Sequence, residues 1–338
     1  MSRLKPIAAL LFAVAAAATL TARAPVTIKL ATIAPTNSTW HKALLDMGDT
    51  WKKTTAAPVS LNVYPGGTLG DEPAVIDKMR NKVLQAGLLM TAGLAEIDKG
   101  FNVFGIPFFF ETDEEGAAVR TALEPMLEKS LEAKGFRMLC WGTAGWAQLF
   151  SKNPVKTLDD VRKTKLFTLA GDPKMVQWYQ SNGFKPVPLS STDLVAQLKL
   201  PTGQIDAAAM PTYVAMIENI FTSAKYMLDV HADPLIGGVI ITNDAWASVS
   251  AADQAKLVEA AKAFERRINA EAPKLDASSL ATMVSRGLQV TTPDAKTAAE
   301  FRAEAAKMAA SMRDTIVPGG VYDEALKARD AYRKSKGK

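Results

Sequence analysis

Few residues in this chain could make or break bonds. It has two histidines, His41 and His231, and one cysteine, Cys140. His41 falls in a helical stretch beside Trp40 with no serine or cysteine motif near it, and no Gly-X-Ser-X-Gly elbow occurs. No His-X-X-X-His or cysteine pair offers a zinc site. The run Pro65-Gly66-Gly67-Thr68-Leu69-Gly70 lacks the Lys-Ser/Thr ending of a phosphate loop and reads as a turn before a helix. Asp71, Glu72 and Asp193 stand where carboxylates cap helices. The single cysteine excludes an intramolecular disulfide and reads as a small buried apolar side chain. The chain is expected to bind something, not to convert it, with no enzyme activity, cofactor or metal.

The candidate binding chemistry is aromatic and aliphatic, and it concentrates around residues 165–213. Lys165–Leu169 reads as an apolar strand. Asp172-Pro173 starts a helix, with Asp as N-cap and Pro at its first position, and Asn182-Gly183 stops it. After a short link, Ser190–Thr192 caps a second helix that ends near Leu200. Gly203 leads into a strand over Ile205–Ala209. Such a βαβ unit lays its strands parallel, with carboxyl ends opening on one crevice. The residues at those ends are Phe167, Leu169, Met210 and Tyr213, none of them charged.

The remaining elements must position that crevice. Val26–Ala31 is a strand, and Trp40, Leu44, Met47 and Trp51 form one face of a helix capped by Ser38. Val59–Tyr64 and Ala86–Met90 are strands separated by a helix through Val83. Together they make a βαβαβ start with a mostly parallel sheet. Phe101–Phe110 is dense in aromatics for core packing, and Phe109 and Phe110 could wall a crevice. Glu111–Lys134 reads as a helical hairpin. Arg137–Trp141 and Gln148–Ser151 are strands, and the chain should cross to a second lobe between them, at Gly142–Ala147. Ala224–Val230 and Gly238–Thr242 are further strands, the second returning to the first lobe. Ser250 caps a long helix that Pro273 should kink or break, with the pattern resuming over 279–284. Pro293-Asp294 starts a final helix with Phe301, Ala305, Met308 and Met312 in register.

The 338 residues allow about two domains, with an ordinary 48% apolar and 22% charged content. Arg3 and Lys5, the apolar run Ile7–Leu20 and Ala22-Arg23-Ala24 form a signal-peptide pattern too short to span a membrane. Removing residues 1–24 takes away three basic residues and no acid, so the net charge falls from +5 to +2. No concentrated basic face remains to suggest a nucleic-acid partner. The expected product is periplasmic, with no membrane anchor of its own.

In this order the segments KLATIAPTNSTWHKAL, YPGGTLGDEPAVIDKM, GIPFFFETDEEGA, GFRMLCWGTAGW, the whole of residues 164–213 and NDAWASVSAADQAKLVEAA resemble the extracytoplasmic substrate-binding subunits of TRAP transporters. The resemblance spans almost all of residues 26–316. It implies an α/β, two-lobe periplasmic binding protein of type II-like form, with hinge strands and a long helix along the back. Lobe I would comprise 25–147 plus 236–273, lobe II 148–235 plus 274–318, and 319–338 a C-terminal tail. The lobes would close on a small-molecule ligand by hinge motion, and the closed form would meet large and small TRAP membrane subunits.

Three positions depart from the family pattern. An arginine that pairs with a ligand carboxylate is replaced by Phe167, a second common arginine by Ala147, and a common asparagine by Met210. A charge-assisted hydrogen bond is worth roughly 1.5–3 kcal/mol, and a carboxylate desolvated without its arginine would instead cost several. Burying ~300 Å² of apolar surface contributes roughly 7 kcal/mol before association entropy. The expected ligand is therefore largely apolar or weakly polar. Its candidate walls are Trp40, Met90, Phe109, Trp146, Phe167, Leu169, Met210 and Tyr213, with Asn37, Glu72, Gln148 and Thr212 as polar handles. Two rivals share the fold. One is an organic-anion receptor using Lys165, Lys174 or Arg137, of which Lys165 shares strand parity with Phe167. The other is a ligand sensor for a signalling receptor.

Overall fold

The computed structural model describes residues 25–337, so the expected signal segment 1–24 lies outside the described residues. The chain runs β1 (Val26–Thr32), α1 (Thr39–Thr54), β2 (Val59–Tyr64), α2 (Glu72–Arg80), β3 (Ala86–Met90), α3 (Thr91–Ile97), a 3-10 segment Lys99–Gly105, α4 (Asp113–Ala133) and β4 (Phe136–Trp146). Then come β5 (Gln148–Ser151), α5 (Leu158–Lys163), β6 (Lys165–Leu169), α6 (Pro173–Ser181), β7 (Lys185–Leu189), α7 (Ser191–Lys199), β8 (Ala207–Met210), α8 (Thr212–Ile217) and β9 (Tyr226–Leu228). It ends with β10 (Pro234–Thr242), α9 (Asn243–Ser248), α10 (Ala251–Ser285), β11 (Gln289–Thr291), α11 (Ala295–Met312) and α12 (Gly319–Ser335).

The strands form two sheets, ordered β2-β1-β3-β10-β4 and β11-β9-β5-β8-β6-β7. In the first, β1 pairs parallel with β2 and β3, as the βαβαβ pattern predicts. β10 then returns antiparallel between β3 and β4. In the second, β6 and β8 are parallel, with Leu166 opposite Ala207. Each sheet anchors one lobe. The connections β4–β5 and β9–β10 cross between them, held together by Ala147 N–H to Asp233 O (2.9 Å) and Ala232 N–H to Ala147 O (3.0 Å).

Local signals set most boundaries. Ser38, Asp71, Asp172, Ser190, Ser250 and Asp294 each cap a helix through a side-chain oxygen. Phe301, Ala305, Met308 and Met312 are all buried on α11.

Five expectations are corrected. The link after Gly183 is a strand, β7, parallel to β6. Its Pro186 and Pro188 lack N–H donors, which an edge strand tolerates. Residues 113–133 are one helix, not a hairpin. Val119, Leu123, Leu127 and Leu131 are buried along a single face, and that packing outweighs the donor lost at Pro125. Likewise α10 runs 35 residues through Pro273, because it is packed against α1, β4 and α8 along its length. The expected tail beyond 318 is instead α12, which lies on α4 and buries Val321, Tyr322 and Ala325. It follows that α11 is not the final helix. The strand expected to stop at Trp141 continues to Trp146, so the crossing is extended chain carrying β-bulges in its pairing with β10.

Gly145 marks the crossing. Its φ of +95° suits glycine, and a Cβ there would collide with the Asp276 carboxylate of α10. Gly145→Ala should therefore destabilise the protein by roughly 2–4 kcal/mol, read as a shift in urea midpoint. A change below about 0.5 kcal/mol, the size of an ordinary surface substitution, would show that the crossing does not constrain the fold.

Candidate functional site between the lobes

Side chains from both lobes meet around the cleft. Trp40 on α1 stands edge-on to Tyr213 on α8, with ring centroids 5.2 Å apart at 71°. The Tyr213 hydroxyl accepts from Thr39 N–H at 3.1 Å. Ser190 Oγ donates to Asp71 Oδ2 at 2.9 Å, and Lys99 Nζ reaches Asp172 Oδ2 at 3.4 Å. These three links join the first turn of α1, the start of α2 and the 3-10 segment to lobe II.

The positions that depart from the expected polar pattern remain apolar in three dimensions. Phe167 is half-buried against the cluster that contains Met210, Phe150 and Leu198. Leu169 packs instead against the larger core that includes Trp146 and Leu149. Ala147 is buried within the crossing ladder. Trp146 lies over His231 at 5.3 Å, and its Nε1–H donates to Asp113 Oδ1 at 2.8 Å.

Three of the four expected polar handles, Glu72, Gln148 and Thr212, are committed to holding the fold, whereas Asn37 is exposed and, among the described residues, engages only its backbone N–H. Glu72 is buried, and its two oxygens accept from Met90 N–H (2.7 Å) and Gly93 N–H (2.9 Å), bracing β3 to α3. Burial pushes its carboxyl up to about 7 despite those two donors. Met90 is half-buried and its N–H is spent on Glu72. Gln148 Oε1 accepts from Val230 N–H (2.9 Å) and His231 N–H (3.3 Å). Thr212 Oγ1 donates to Asp276 Oδ1 at 2.8 Å. His41 Nδ1 accepts from Asn37 N–H at 3.0 Å. Cys140 is buried, and burial pushes its thiol up to about 12.

Phe109 is corrected from cleft wall to core. It lies beneath α12, edge-on to Phe110 at 5.0 Å, with the Arg329 guanidinium 4.3 Å above its ring. The expected tail, being a helix, covers it.

Two carboxylates were not anticipated. Asp276 follows Pro273 by one turn, and burial raises its pKa while Thr212, Tyr213 N–H and Trp146 N–H donate to it. Asp233 lines an apolar cavity of about 100 Å³ in lobe II, with Phe108, Leu149, Leu166, Tyr179, Ala209 and Phe301. Burial alone pushes its carboxyl up to about 7. In sequence Asp233 is one acid in an Asp-Pro pair, with nothing to separate it from a turn residue.

Because the fold favours protonated Asp233, its contribution to stability is lost as pH rises from about 4 to about 7. Asp233→Asn should melt with wild type at pH 3.5 and at least about 5 °C above it at pH 8. An equal difference at both pH values, or a lower melting point at pH 8, would contradict the assignment.

The comparisons with known proteins agree with this architecture. Residues 30–315 match the family model described as bacterial extracellular solute-binding protein, family 7. The 2,3-diketo-L-gulonate-binding periplasmic protein YiaO of Escherichia coli is 26% identical over 238 residues, 68% of this chain and 71% of YiaO. The sugar acid binding protein DctPAm of Advenella mimigardefordensis, solved with galactonate, superposes with a TM-score of 0.82 at 18% identity. That match covers 90% of this chain and 99% of DctPAm. A TRAP periplasmic solute binding protein of Haemophilus influenzae with bound L-gulonate gives 0.80 at 19% identity, over 90% and 99% of the two chains. The two solved structures share the two-lobe fold, and with the family match over most of its length this chain belongs to the family 7 extracellular solute-binding proteins, the substrate-binding proteins of TRAP transport systems.

Proposed function

We propose that this protein is an exported receptor that captures a largely apolar or weakly polar small molecule between its lobes and hands it to TRAP membrane subunits. The observation that carries the reading is the joint placement of Phe167 and Met210 in one apolar cluster, with Glu72, Gln148 and Thr212 engaged in holding the backbone and α10. An organic anion in that setting would lose its hydration without a bidentate partner. A ring or chain would gain from apolar burial and from contact with the Trp40–Tyr213 pair. Among the described residues, no helix is long and apolar enough to cross a membrane.

Capture of an organic anion is the second reading, favoured by the galactonate and L-gulonate bound to structural relatives. It requires a cation. Arg137 is paired with Glu132 at 2.8 Å and lies over Trp246, opposite Ile241 near the end of β10. Lys165 is exposed at the amino end of β6, away from the carboxyl ends, and Lys174 is exposed on α6.

Native mass spectrometry of the exported protein, followed by organic extraction, separates the two. Release of an apolar or weakly polar compound is expected. Phe167→Arg should weaken its binding at least a hundredfold, because a guanidinium would be left unpaired among apolar walls. Release of a sugar acid, with binding retained in the arginine variant, would overturn the proposal.

A further inference from the structure

A cavity lies against the face of the lobe II sheet that carries Leu149 and Ala209. Pairing sets Leu149 opposite Ala209 and Phe150 opposite Ala208. Since alternate residues of a strand face opposite ways, the Leu149–Ala209 face is turned away from Phe150 and Met210. On that side, beneath α5, α6 and α11, lies the cavity of about 100 Å³, which Phe167 of β6 also lines, so that it adjoins the Phe167–Met210 cluster. Its floor is Ala209, which remains exposed although β8 sits between β5 and β6. Its lip is Phe108, held at a left-handed φ of 56° by its N–H bond to Ala232 O (2.6 Å) and by contact with the Phe301 ring at 5.7 Å. A bulky residue at positive φ is strained and persists only where its surroundings hold it.

The cavity contains one charge-bearing group. Among the described residues the Asp233 carboxylate meets no hydrogen-bond or ion-pair partner, and Tyr179 is the other titratable side chain lining the cavity. An ionised carboxylate among apolar walls is costly until a cation joins it. A cavity of this order admits a single aromatic ring, since one of ~150 Å³ takes benzene.

We propose that this cavity is a second ligand site, adjoining the interlobe cleft at Phe167, and that it takes a ring-sized amphiphile whose protonated amine pairs with Asp233 while its ring fills the space between Phe108, Leu149 and Ala209. The neighbouring side chains then supply apolar contact, and the carboxylate supplies the choice among head groups.

Calorimetric titration of the purified full chain at pH 8 with benzylamine, benzyl alcohol and benzoate tests this. Benzylamine should bind at least tenfold more tightly than benzyl alcohol, and benzoate should not bind. Asp233→Asn should cost benzylamine at least tenfold and leave benzyl alcohol within twofold. Ala209→Leu, which fills the floor, should abolish binding of both while leaving the ligand of the interlobe cleft bound. Equal affinity for amine and alcohol, binding of benzoate, amine binding indifferent to Asp233→Asn, or no binding at all would each overturn the proposal. Retention of amine binding by Ala209→Leu would also overturn it, by placing the amine elsewhere. Because extraction from the native host reads the cleft, failure here leaves the proposed function standing.

Discussion

The two lobes depend on one carboxylate where the back helix meets the crossing strands. Asp276 accepts from Thr212 Oγ1 and Tyr213 N–H at the start of α8, and from Trp146 N–H at the end of β4. It stands in the space that a side chain at Gly145 would occupy. A single side chain of α10 thus fixes both the exit of the hinge strand and the helix that carries Tyr213. Tyr213 then meets Trp40 and Thr39 across the cleft. If Asp276 moved, the aromatic pair would lose its alignment, because α8 is only six residues long and has no side-chain cap of its own.

Three carboxylates, Glu72 buried and Asp233 and Asp276 half-buried, meet three different ends. Glu72 has two backbone donors and serves as internal scaffolding. Asp276 has three donors and serves as the joint. Asp233 has none among the described residues and faces a cavity. Desolvation raises all three from their ordinary values, so the direction of the shift alone does not sort them. Geometry does, by showing how many donors each oxygen meets.

The core is shared between lobes. Trp146, Leu149, Phe104, Phe301 and Tyr322 belong to one continuous apolar cluster, which runs from beneath α12 through the crossing strands into lobe II. The crossing segments are part of that packing through Trp146, and two hydrogen bonds between Ala147 and residues 232–233 also hold them to each other.

Much of this was legible in the residues themselves. Caps such as Asp172, Ser190, Ser250 and Asp294, and the stop at Asn182-Gly183, are interactions within one turn, so the sequence specifies them locally. The spacing of Trp40, Leu44, Met47 and Trp51 and of Phe301, Ala305, Met308 and Met312 identified buried faces for the same reason. Prolines misled, because their local penalty at Pro125 and Pro273 is outweighed by packing along the whole helix, while Pro186 and Pro188 found the edge strand that tolerates them. The sequence by itself determined most helix caps and the buried helix faces, and that positions Phe167, Ala147 and Met210 carry no charge. Only the tertiary structure decided that Glu72 and Gln148 are spent on distant backbone, that Phe109 lies under α12, and that Asp233 faces a cavity with no partner among the described residues, since each depends on contacts between segments tens to hundreds of residues apart.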